Sequence, residues 1–200
     1  MIVSDRGVDG LKSDGSSVKN IYAAAAFAGL RATAAYQQPL SNITINGFDG
    51  VNDSEVIFTE TDMSTMRDAG VWIVRQPKTG VDAGSIFAQR QLSTSNLDIY
   101  RKEQSVVTNL DNVSFALLDG LHKYVGRLNI TPGTIQLIET ELGHILREKT
   151  TAASTTLGPQ LTDYEIVTIE QIEASLGTLK VQISLDVPLP MNTIDITLVV

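Results

Sequence analysis

The sequence predicts an α+β domain: a small mixed sheet flanked by helices and extended at its C-terminus by a strand arm. Three observations predict it. The run "IYAAAAFAGLRATAAY" is built from the best helix-forming residue. Two later stretches repeat apolar residues at three-four spacing, the signature of one-sided helices. The last part, "TLKVQISLDV" and "TIDITLVV", alternates apolar and polar residues with period two, the signature of half-buried strands.

Residues 1–17, rich in Gly, Ser and Asp, read as a linker or arm. Ser16 or Ser17 can cap a helix over Val18–Tyr36 that stops at the proline-bearing "QQPLSN". Ala24, Ala28 and Ala32 form a small-residue stripe, and Phe27 and Leu30 a bulkier one. A helix apolar on every side is buried on every side. The cover is either the rest of the core or, for one stripe, a neighbouring subunit.

Residues 43–58 read as loop with short strands at "ITI" and "EVIF". Thr59 or Thr61 caps a short helix that turns Met63 and Met66 inward and ends at Gly70. "VWIVRQ" (71–76) reads as a buried strand and "GSIFAQRQL" (84–92) as a second one, after a turn at "VDAG". Between Arg101 and Arg127, Val106, Leu110, Val113, Leu117, Leu121 and Tyr124 mark the longest helix. Thr131 and Pro132 restart the chain as cap and first helical residue. Ile135, Ile138, Leu142 and Ile145 form the next apolar stripe. "DYEIVTI" (163–169) and the alternating run ending at Val187 are strands, and "PLPMN" bridges to a final strand over 193–200.

Composition excludes several function classes. Fifteen basic against 23 acidic residues give a net charge of −8, with no basic cluster of the kind nucleic-acid or anionic-membrane binding needs. The absence of cysteine removes disulfides, thiolate metal ligands and thiol catalysis. The start "MIVSDRGVDG" lacks the basic and apolar regions of a secretion signal, and no apolar run reaches the roughly 20 residues that span a bilayer. A soluble, non-exported chain is expected.

No phosphate-binding glycine loop, nucleophile elbow or zinc-protease motif occurs. The acidic run "DGVNDSE" (49–55) offers oxygen ligands for a hard cation, but its spacing is that of a solvated turn. His122 and His144 lie on different predicted helices and read as surface residues. Asp111, Asp119, Glu139 and Glu141 read as solvated helix faces rather than an acid–base pair. No enzyme, cofactor or metal site is expected.

The order of elements resembles the C-terminal domain of bacteriophage contractile tail sheath proteins. That family carries a "Y-V-A-A-x-x-A-G" helix followed by "Q-x-L-[ST]-N". Tyr22, Ala23, Ala24, Ala25, Ala28, Gly29, Gln38, Leu40, Ser41 and Asn42 stand at the matching places. "FTETDMSTMRDAGVWIV" is similar to its helix-to-strand step, and "EQSVVTNLDNVSFALLDGLHKYVGRLN" to its long helix. "TIQLIETELGHIL" and "LKVQISLDVPLPMNTIDITLVV" resemble the next helix and the closing strands. The resemblance spans about residues 18–200. The chain departs from the pattern at Asn109, where the family has Arg, and at "AY" before Gln37 and "IT" after Asn42.

The resemblance implies an assembly domain over 18–192 and a donated strand arm over 193–200. It implies a structural subunit that stacks in helical rings around a tail tube and contracts by rearranging its contacts. Its partners would be copies of itself, the tube protein, and baseplate and tail terminator proteins at the ends, without nucleic acid or membrane insertion. Its place would be the virion tail, assembled in the bacterial cytoplasm. A bacteriocin or secretion-system sheath fits the same residues. Readings of other classes are a non-assembling ligand-binding α+β module and a metal-assisted hydrolase using the acids at 49–55. The residues themselves favour strand donation, because two prolines in "PLPMN" suit an extended spacer better than a tight hairpin. Ile194, Ile196, Leu198 and Val200 would then insert into a neighbour, with Ala24 and Ala28 at a second interface.

Overall fold

Apolar residues gather around two separate centres in a computed structural model that describes residues 2–3, 9–11, 14–18, 20–45, 50–52, 59–76, 85–95, 98–151, 157–175, 177–191 and 197. The chain divides into two compact units. One holds the described residues of Met1–Val107 and Pro190–Val200, the other those of Thr108–Leu189. The fold is α+β throughout.

The first unit is built from short strands around one helix. Residues 1–17, expected as a linker or arm, contribute β1 (Ile2–Val3) and β2 (Asp9–Leu11). β2 lies between β3 (Ser17–Val18) and β4 (Gly50–Asn52), antiparallel to both, so the acidic run 49–55 supplies a strand. The remainder of that run, and "EVIF", lie outside the described residues.

Helix α1 spans Asn20–Thr33, shorter than expected at both ends. It ends at Thr33, six residues before Pro39. The Arg31 guanidinium reaches past the helix end to the carbonyls of Ala35 and Gln38, the latter at 2.8 Å, and so holds the turn that follows the helix. Phe27 is fully buried and meets Trp72 edge-on at 5.5 Å between ring centroids. Leu40, Ile45, Ile86 and Ala88 complete this core.

Helix α2 (Glu60–Asp68) starts at Thr59 with a reciprocal cap: the Thr59 hydroxyl accepts from Asp62 N–H at 3.2 Å, and the Thr59 amide donates to the Asp62 carboxylate at 3.0 Å. Gly70 ends it with φ +79°, and a Cβ there would overlap the backbone of Ser93 and Thr94. The expected strand 71–76 is two strands, β5 (Val71–Trp72) and β6 (Val74–Arg75), interrupted at Ile73. β5 pairs parallel with β1, and β6 pairs antiparallel with β7 (Phe87–Ala88). The change of partner explains the interruption.

The expected helix from Arg101 to Arg127 is also broken. α3 (Ile99–Lys102) ends at Glu103, which is extended, and α4 (Gln104–His122) follows. The segment 91–93 pairs with the break: Ser93 N–H donates to Lys102 carbonyl at 2.7 Å, and Gln104 N–H to Gln91 carbonyl at 3.1 Å. Those bonds take backbone groups that a continuous helix would use itself. The division between the units falls inside α4, after Val107.

The second unit joins α4 from Thr108 onward to α5 (Pro132–Thr150) and a hairpin, β8 (Asp163–Gln171) with β9 (Leu179–Asp186). Thr131 caps α5 and Pro132 opens it, as the sequence predicts. Val113, Leu146 and Leu161 are fully buried, with Leu117, Tyr164, Ile166, Ile183 and Leu185 packed around them. Val167 is the extra residue of a β-bulge between Ile166 and Thr168. The bulge moves the inward positions from Tyr164 and Ile166 to Ile169. Asn109 donates to the Gln160 carbonyl at 2.6 Å and so ties the loop before β8 to α4.

Candidate assembly surfaces

A helix rich in alanine need not be covered on every side by its own chain. The face of α1 that carries Phe27, with Ala26, Leu30 and Ala34, packs on the core of the first unit. The opposite face, Ala25, Ala28, Gly29 and Ala32, is exposed. A Cβ built on Gly29 meets no atom within 4 Å. The expectation of burial all round is therefore corrected: one stripe is open in the single chain. Of the two predicted interface residues here, Ala28 lies in the open stripe and Ala24 is half-buried at its flank. Ile194, Ile196, Leu198 and Val200 lie outside the described residues.

The second unit presents its own unpaired features. Among the described residues, β8 and β9 pair only with each other, so each leaves one edge open. A two-stranded ribbon is marginal by itself and depends on packing, here against the apolar face of α5. On α4, Phe115 and Leu118 stand three residues apart and are 70% and 67% exposed. Val125 and Leu128, in the turn after α4, are exposed too. Those two residues border a groove of about 330 Å³ floored by Ile138, Leu179 and Val181. The three-four pattern along α4 conceals Phe115 and Leu118, which lie off the stripe that reads as core.

Polar chemistry is sparse. Lys123 Nζ reaches Glu141 Oε1 at 2.7 Å and sits 5.0 Å from the Tyr124 ring centroid. The hydrogen bond to Lys123 holds the Glu141 carboxyl below its usual range and raises the Lys123 ammonium. This is an exposed surface pair, the kind that contributes little. His122 and His144 are exposed. Among the described residues, no three His, Asp or Glu side chains gather where they could hold a metal ion. No helix of the described residues is long and apolar enough to cross a membrane.

A second cavity, of about 290 Å³, lies in the first unit. Arg67, Arg75 and Arg90 line it together with Ser41, Asn42 and Gln89. β6 and β7 bring Arg75 and Arg90 to one place, although the sequence separates them by fifteen positions. Sequence reading missed this cluster because each arginine stands alone in its own segment.

No family model and no curated protein matches this sequence. Solved structures do. The helical sheath of the anti-feeding prophage in its contracted state matches 96% of this chain with a TM-score of 0.68 at 12% identity. The chain has the fold of contractile tail sheath proteins. A chain of the anti-feeding prophage baseplate matches the same 96% with a TM-score of 0.66 at 15% identity. A sheath tail protein from Desulfitobacterium hafniense matches 84% with a TM-score of 0.58 at 14% identity. This sheath-type chain covers 54%, 52% and 38% of those chains respectively, about half or less of their length.

Proposed function

We propose that this chain is the assembly domain of a contractile sheath subunit, which joins copies of itself in helical rings around a tail tube. The observation that carries the reading is the match of nearly the whole chain to a helical sheath. The proposed domain covers residues 18–192 and the donated arm 193–200. The arm adds as a strand to an open edge of the β8–β9 hairpin of a neighbour, with Ile194, Ile196, Leu198 and Val200 on its inserted side. Ala28, with Ala24 at its flank, gives a second contact with a copy, because small residues let a backbone approach closely. Tube, baseplate and terminator proteins are the other partners, and the particle assembles in the bacterial cytoplasm.

The subunit performs no catalysis. Contraction draws on energy stored in the extended lattice and released as contacts rearrange. A strand arm suits that demand. Each aliphatic side chain it buries contributes about 1.5–3 kcal/mol, offset by about 1–2 kcal/mol per residue of backbone ordered. The small net value per contact lets subunits shift, while many contacts hold the lattice. Phage, bacteriocin and secretion-type sheaths share this logic, and the proposal is made for the class.

Negative-stain microscopy of the chain with and without residues 193–200 tests the reading. Rings or tubes are expected for the full chain, and a folded, non-polymerising monomer for the truncated one. A full chain that stays monomeric at high concentration overturns the sheath reading. A truncated chain that still forms tubes removes the arm as the link; one that unfolds assigns the strand to its own core.

A further inference from the structure

The arginine cavity of the first unit has a composition that α1, the hairpin and the arm do not account for. Among the described residues, three guanidinium groups and no carboxylate line it, in a chain whose net charge is −8. Arg75 is exposed, and its side chain makes no hydrogen bond or ion pair among the described residues. The other two are partly engaged, and a terminal nitrogen of Arg67 donates to the Ser64 hydroxyl at 2.7 Å. Arg67 Nε is 3.7 Å from Asp68, and Arg90 Nε is 3.8 Å from the buried Glu103, both beyond hydrogen-bonding reach. Both Nε atoms are buried without a hydrogen-bond acceptor, and so is the hydroxyl of Ser41, which lines the same cavity. Buried donors without acceptors are costly, and an unshared guanidinium fork, here that of Arg75, is shaped to take two oxygens of one oxyanion. Asn42 adds a further polar group at φ +60°, beside the bridge between Ser41 and Ala88.

We propose that this cavity is an oxyanion-binding site, filled in the assembled particle by a carboxylate of a neighbouring copy. The second half rests on the sheath reading above. Two observations favour a copy as the source. The chain carries 23 acidic against 15 basic residues, so its copies present carboxylates in excess to this cationic cavity. Met191, two residues before the proposed arm, also lines the cavity, so the site lies beside the start of the proposed link to the next subunit.

The site can be tested without assembly. The full chain is titrated at low salt with inorganic phosphate and, separately, with acetate, followed by calorimetry and amide chemical shifts. Saturable binding of both is expected, with shifts centred on Ser41, Asn42 and Arg75. Arg75→Gln, an exposed substitution, and Arg67→Gln should each weaken binding about tenfold. No saturable binding, or binding unchanged in both variants, overturns the site. The source is read separately in tubes. If the occupant is a neighbour's carboxylate, Arg75→Gln tubes dissolve at lower salt than wild type, and added phosphate loosens wild-type tubes. Tubes indifferent to both overturn the neighbour's part and leave a site for free anions. A wild-type chain that forms no tubes fails the sheath reading, while the titration still decides the site.

Discussion

Replacing Gly29 by Ala should move folding and assembly in opposite directions. Gly29 sits inside α1, on the open stripe with Ala25, Ala28 and Ala32. Within a helix, glycine is about 0.8–1 kcal/mol less favourable than alanine. The new methyl group meets nothing within 4 Å, so no clash offsets that gain. The isolated chain should therefore gain about 1 kcal/mol, which raises the melting temperature by roughly 2–4 °C for a chain of this size. In the proposed lattice the same methyl would occupy space that a neighbour's backbone needs. Overpacking a close contact costs about 1–3 kcal/mol, which is about 5- to 150-fold in each association constant. Thermal unfolding of the monomer, with the concentration at which tubes first sediment, reads both effects. A more stable variant that polymerises at the wild-type concentration refutes α1 as an interface. A less stable variant refutes the open face itself.

Two further outcomes follow from the first unit. Gly70→Ala should destabilise the chain by roughly 2–4 kcal/mol, since it combines a left-handed backbone with overlap against the main chain of Ser93 and Thr94; urea unfolding measures it, and a loss below 1 kcal/mol contradicts the close approach. The Asp62 carboxyl is held below its usual range, first by the Thr59 hydroxyl and then by the Thr59 amide. A depressed folded-state value means that its support for α2 is present above the ordinary carboxylate range and is lost as pH falls through the lowered value. Amide protection along α2, taken relative to the intrinsic exchange rate at each pH, should therefore fall on acidification, and Asp62→Asn should abolish that pH dependence.

The sequence made the second unit legible because local signals and tertiary packing agree there. Thr131 and Pro132 open α5, and Leu179, Val181, Ile183 and Leu185 turn to one side of β9. The Val167 bulge is visible in "DYEIVTI", where the alternation skips from Ile166 to Ile169. The first unit is harder to read because its strands are mostly two or three residues long, too short for a period to appear. The interruption at Ile73 and the break at Glu103 both come from pairing with distant segments, which no local pattern announces. Arg31 looked like an interruption of an apolar run, and its part in holding the turn after α1 depends on where the chain goes next.

The candidate surfaces were only half legible, for one physical reason. Apolar periodicity records that a residue is covered but not by which chain. Ala28 and Phe27 are adjacent in one alanine-rich run, yet Phe27 is buried within its own unit and Ala28 is open. An isolated monomer gains nothing from an open stripe of Ala25, Ala28, Gly29 and Ala32 where charged residues would add solubility. Gly29 sharpens the point, because it weakens the helix and contacts nothing that needs its small size. A residue that costs folding free energy without a partner in its own chain is best explained by a partner in another. That reasoning also makes the Gly29→Ala measurement decisive, since only an external backbone can turn a stabilising methyl group into a defect.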